Sequence, residues 1–96
     1  MIKYKISQTK QFKKQLRLMV RQGKDIDKLR QVVDTLIDGK ALPPKNRDHT
    51  LITTPRFQNC RECHIEPDWL LVYRIERSEL ILILVETGTH SELFGK

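Results

Sequence analysis

The stretch CRECHIEPDWLLVYRIERSELILILVETGTH, residues 60–90, decides the fold. It reads as three strands in a row. Residues 60–66 form the first, Pro67-Asp68 turns tightly, and residues 69–76 form the second. Arg77-Ser78 turns again into a third strand over 80–87. The run Leu80-Ile81-Leu82-Ile83-Leu84-Val85 is apolar without alternation, which predicts a strand in the sheet centre with both sides largely covered. Thr87-Gly88-Thr89 ends it, and residues 91–94 read as one helical turn.

Upstream the period changes from two to helical. Residues 4–6 read as a short first strand, with Ser7 or Thr9 placed to cap a helix. Phe12, Leu16, Met19 and Val20 form the apolar stripe of that helix, which stops near Gly23. Asp25 caps a second helix carrying Ile26, Leu29, Val32, Val33, Leu36 and Ile37, with Gly39 at its end. The short link makes the pair an antiparallel hairpin. Pro43-Pro44 marks residues 41–48 as a connecting loop; 49–53 read as a strand and 54–59 as a loop. This order predicts an α+β fold: a helical hairpin packed on a mostly antiparallel sheet of four to five strands. The first strand pairs with the last, which makes the last strand central. Ninety-six residues suit one domain spanning 1–96.

Charge is uneven. Residues 1–47 hold thirteen Lys/Arg against four Asp, a net of +9, whereas the rest holds five against eight, a net of −3. A basic half points to a polyanionic partner, most often nucleic acid, although a solvated face has the same composition. The opening MIKYK has no apolar run after its charges, so no signal peptide is expected, and no stretch reaches the length of a membrane helix. The expectation is a soluble, cytoplasmic protein.

The meander also gathers chemistry. His64 lies near the end of one strand and Asp68-Trp69 at the start of the next; the third strand returns His90 to the same edge, and His49 begins the strand at 49–53. Three histidines and an aspartate thus converge, and histidine titrates near neutral pH, so proton transfer is the chemistry such a cluster suits. Cleavage of a ribose-phosphate backbone fits it. A base takes the proton of the substrate's 2′-hydroxyl, an acid protonates the leaving 5′-oxygen, cations steady the phosphorane, and no metal or cofactor is required. Asp68 can hold one imidazole in the useful tautomer, and Trp69 or Phe94 can stack on a nucleobase. Cys60-Arg61-Glu62-Cys63-His64 also fits a haem-attachment pattern, and Cys60, Cys63, His64 and His90 offer zinc donors. A strand sets the two cysteines on opposite faces, which speaks against both and leaves them as small packing residues.

Asp48-His49 with Leu51, RECHIEPDWLLVY at 61–73 and TGTHSELF at 87–94 together closely resemble the YafQ branch of the RelE/ParE toxin superfamily. The resemblance covers essentially the whole chain. It implies the toxin of a type II toxin–antitoxin pair: a ribosome-dependent endoribonuclease that cuts mRNA in the A site and is held inactive by a DinJ-like antitoxin. The functional histidines of the family match His49, His64 and His90, its aspartate Asp68, its tryptophan Trp69 and its phenylalanine Phe94. On that resemblance His90 is a general acid or base, and His49 takes the opposite role or contacts phosphate. His64 with Asp68 makes a supporting pair. Arg61 and Arg56 are candidate phosphate contacts, with pairing to an acid as the other reading of Arg61. The basic helices would meet ribosomal RNA, or acidic segments of the antitoxin. One departure is TTPRFQN at 53–59, where relatives often carry a Gly- and Trp-rich stretch. A ParE-like inhibitor of gyrase shares the fold but generally lacks the histidines; a plain RNA-binding module is the third reading.

Overall fold

The elements run β1 (Lys5–Gln8), α1 (Lys10–Arg21), α2 (Ile26–Ile37), a 3-10 turn (Pro44–Asn46), β2 (His49–Thr50), β3 (Arg61–Glu66), β4 (Trp69–Glu76), β5 (Ile81–Gly88) and α3 (His90–Phe94). They come from a computed structural model that describes residues 3–95; Met1, Ile2 and Lys96 of the 1–96 span lie outside the described residues. The sheet has five strands in the order β1-β5-β4-β3-β2, antiparallel except where β1 runs parallel to β5.

Local signals explain the helices. The Thr9 side chain accepts from the Phe12 N–H and donates to the Val85 carbonyl, so one hydroxyl caps α1 and ties it to β5. Asp25 caps α2 by accepting from Asp27 N–H. Gly23, at φ 82°, takes the left-handed conformation after α1 that a side chain would resist. Phe12 and Met19 of α1, with Leu29, Val32, Val33 and Leu36 of α2, bury against Cys63, Trp69, Leu71, Tyr73, Leu82 and Leu84. A second, smaller core lies on the other sheet face and joins Phe57, Cys60, Leu70, Val72 and Leu93. Cys60 and Cys63 therefore do fall on opposite faces.

β4 is the strand buried on both faces, Trp69 through Tyr73, and it holds the middle place of the five. β5 is interior as expected, between β1 and β4. Its apolar run is not covered on both sides, however. Leu82 and Leu84 are buried under the helices, whereas Ile81, Ile83 and Val85 are only half-buried. The helical hairpin covers one face alone, and α3 is too short to cover the other. The strand expected over 49–53 shrinks to two residues, and Ile52 is exposed. Two irregularities steer the functional edge. Register slips between His64 and Glu66 in β3. It slips again opposite Val72 and Tyr73, where β5 carries one residue more than β4.

Candidate active site

β3 alternates, so Glu62 and His64 share the sheet face turned away from α1 and α2. β2 pairs His49 directly with Glu62. α3 starts as β5 ends, which brings His90 over the turn holding Asp68. The His64 and His90 rings lie 5.5 Å apart. The four residues expected to converge do so on one edge, with Glu62 as an unexpected fifth.

Each ring has one nitrogen tied to an acceptor. His49 Nδ1 is 2.8 Å from the Arg47 carbonyl and His64 Nδ1 is 3.2 Å from the Pro67 carbonyl. A carbonyl only accepts, so both Nδ1 atoms carry the proton. His90 Nδ1 lies 2.8 Å from Asp68 Oδ1, which also accepts the His90 backbone N–H at 3.1 Å. Those bonds, the side-chain one first, hold the Asp68 carboxyl below its ordinary range. Among the described residues His90 Nε2 has no hydrogen-bond or ion-pair partner. His49 Nε2 is 3.4 Å and His64 Nε2 3.8 Å from Glu62 Oε1, so a proton on either faces that carboxylate. Glu62 and His64 are buried, while His49 and His90 are open to solvent. Asn46, also buried, donates to the His64 carbonyl at 2.7 Å and fixes the loop before β2 against β3.

Several expectations are corrected. Asp68 pairs with His90 and not with His64, because its carboxylate meets two donors at the start of α3 while the His64 ring turns to Pro67 and Glu62. Trp69 is fully buried on the helix face, and its indole N–H donates to Thr87 Oγ1 at 2.9 Å, so it has no face to offer a nucleobase. Arg61 takes the acid-pairing reading: it donates to both oxygens of Asp48 and to Thr50 Oγ1. Asp48 also accepts from Tyr73 Oη at 2.6 Å. Arg56 is engaged too, by Glu86 and the Leu93 carbonyl. Phe94 alone of the stacking candidates is partly exposed, with its ring 5.8 Å from Phe57 in an edge-to-face pair. It lines a cleft of about 750 Å³ with His49, Ile52, Arg56 and Phe57. Glu62 and Asn46 were missed by sequence reading. Glu62 had a signal, since it stands two positions before His64 on a strand; Asn46, in a loop, had none. Among the described residues no group of three His, Cys, Asp or Glu side chains is placed to hold a metal ion.

The family model described as bacterial toxin of type II toxin–antitoxin system, YafQ, matches residues 4–95. The mRNA interferase toxin YafQ of Escherichia coli (strain B / BL21-DE3) is 35% identical over 96 residues, which are 99% of this chain and 100% of that protein. The crystal structure of the E. coli DinJ–YafQ toxin–antitoxin complex contains a chain of 34% identity and TM-score 0.86, covering 98% of this chain and 100% of its own. A metal-bound toxin from Helicobacter pylori is 43% identical with TM-score 0.88, covering 95% of this chain and 99% of its own.

Proposed function

This chain belongs to the YafQ family of type II toxins, and from that premise we propose that it is an mRNA interferase whose catalytic residues are His49, His64, Asp68 and His90. The observation that carries the reading is the His90–Asp68 pair beside His64, with His49 across β2–β3. In the proposed reaction the substrate's 2′-oxygen bonds to phosphorus and the bond to the 5′-oxygen breaks. One exposed imidazole accepts the 2′-hydroxyl proton and another delivers a proton to the leaving oxygen. His90 and His49 take these two roles through Nε2. His64, buried against Glu62 with its ring 5.5 Å from that of His90, orients the edge. Phe94 at the cleft is the stacking surface for a base.

The family reading extends to partners. Lys10, Lys13, Lys14, Arg17 and Arg21 are exposed on α1, and none forms an ion pair among the described residues. They suit ribosomal RNA. The catalytic edge is open to solvent on a sheet face, so holding the message in place is left to the ribosome, and orientation there contributes much of the catalysis. Such a toxin acts in the cytoplasm as one domain over 1–96 and is neutralised by a DinJ-like antitoxin. Among the described residues no helix is long and apolar enough to cross a membrane.

The test is 5′-end mapping of RNA after induction, with His90→Ala as the comparison. In-frame cuts within codons are expected for the parent and none for a folded His90→Ala protein. DNA damage without such cuts would move the chain to the gyrase-inhibiting reading. Undiminished cutting by His90→Ala would remove His90 from the mechanism. The proposed step uses side-chain acids and bases. EDTA added to preformed, magnesium-controlled ribosome complexes should therefore leave single-turnover cleavage unchanged; loss of activity together with a stoichiometric metal would overturn that.

A further inference from the structure

Arg56 lines the cleft beside Phe94, where a free guanidinium would make a ready phosphate ligand. Its contacts point elsewhere. Nε donates to Glu86 Oε2 at 2.9 Å, Nη2 to Glu86 Oε1, and Nη1 to the Leu93 carbonyl at 2.7 Å. The guanidinium carbon lies 4.7 Å from the Phe57 ring centre, and Phe57 in turn meets Phe94. Glu86 is a buried carboxylate just past the irregularity in β5. It also accepts from Gln15 Nε2 at 2.9 Å, while Gln15 Oε1 accepts the Thr87 N–H. One carboxylate and one guanidinium thus join α1, β5, the 54–59 loop and the last turn of α3.

That last contact matters because α3 has only five residues. A single helical turn is not stable alone, and its final carbonyls have no partners within the helix. It nonetheless carries His90 at its first position and Phe94 at its last. Thr89 and Asp68 hold the start; Arg56 holds the end. Drawing Arg56 away to a phosphate would leave the buried Glu86 without its main cation, a costly state.

We propose that Arg56 and Glu86 are positioning residues that clamp α3, and with it His90 and Phe94, against the sheet, rather than ligands of the RNA backbone. The inference rests on the proposed RNA cleavage for its kinetic arm only. Arg56→Gln, Glu86→Gln and the double variant are compared by amide hydrogen exchange in the free toxin and by single-turnover cleavage on programmed ribosomes. Exchange at the Leu93 and Gly95 amides, which bond to Thr89 and Ser91 carbonyls, should rise about tenfold in each single variant. The cleavage rate constant should fall about tenfold with the half-saturating ribosome concentration unchanged. The double variant should be no worse than the poorer single one, as for two halves of one contact.

A raised half-saturating concentration for Arg56→Gln, with Glu86→Gln unaffected and α3 exchange at parental rates, would make Arg56 a phosphate ligand and overturn the clamp. Parental exchange in both single variants overturns it whatever the kinetics. The double variant leaves no unpaired buried charge, so it keeps the fold, and parental α3 exchange in it overturns the clamp even if a single variant does not accumulate. If the parent protein fails to cleave, the functional reading falls while the exchange measurement still judges the clamp.

Discussion

Two carbonyls and a carboxylate choose the chemistry of three histidines. Arg47, Pro67 and Asp68 each accept at a neighbouring Nδ1, which turns the His49 and His64 Nε2 atoms toward Glu62 and leaves His90 Nε2 open. Asp68 was legible in that part, whereas the Arg47 and Pro67 carbonyls carry no motif. Trp69 shows the converse. Its place beside a histidine cluster suggested stacking, yet an even count along β4 turns it into the helix core with Leu71 and Tyr73. Trp69→Phe should therefore act on stability. It removes the indole donor from Thr87 Oγ1, which still donates to the Leu70 carbonyl, and should cost about 1–2 kcal/mol in urea unfolding. The half-saturating ribosome concentration should stay at the parental value; a large rise would restore Trp69 to the RNA interface.

Helices were legible at the scale of elements because their ends are written locally. Thr9, Asp25, Gly23 and Gly39 sit within a residue or two of the termini they set. α3 is a sharper case. Thr89 Oγ1 accepts the Glu92 N–H at 3.2 Å while the Glu92 carboxylate accepts the Thr89 N–H at 2.8 Å, a reciprocal cap on a helix of one turn. Thr89→Ala should cost about 1 kcal/mol in equilibrium unfolding and Thr89→Ser almost nothing. An equal loss for both variants would assign the effect to the methyl group and not to the cap. Strand exposure was less legible. The apolar run of β5 carries no record of which face lacks a covering layer, and only the placement of α1, α2 and α3 settles that.

The whole molecule should be most stable from mildly acidic to mildly alkaline pH. Glu66 is held low by Lys28 and Lys24, Asp38 by Lys3, and Asp68 by His90. A depressed carboxyl stabilises the fold above its unfolded value, and that stability is lost as pH falls through the folded value. Asp68 is exposed and Glu66 and Asp38 are only partly buried, so the acid decline should be shallow and reduced by salt. On the alkaline side burial pushes the Cys63 thiol up to about 12, and burial together with Asp48 raises Tyr73. Raised groups stabilise below their unfolded values, near about 8.5 and 10, and lose that contribution as pH rises beyond them. Urea midpoints measured across pH should fall at both ends, more steeply on the alkaline side. A midpoint still rising above pH 10 would contradict the burial of Tyr73 and Cys63.

By itself the sequence determined the order of elements, the hairpin of helices, the meander and the meeting of His49, His64, Asp68 and His90. Those depend on periodicity, caps and turn residues, which act over a few positions, and on the rule that adjacent hairpin strands bring their ends together. Only the tertiary structure decided which group pairs with which. Asp68 chose His90 over His64, Arg61 chose Asp48, Arg56 chose Glu86, and Glu62 entered between two histidines. Each choice turns on a few ångströms of side-chain placement across elements far apart in the chain. A one-residue slip in β5 or β3 is enough to redirect it, and no local pattern encodes that slip.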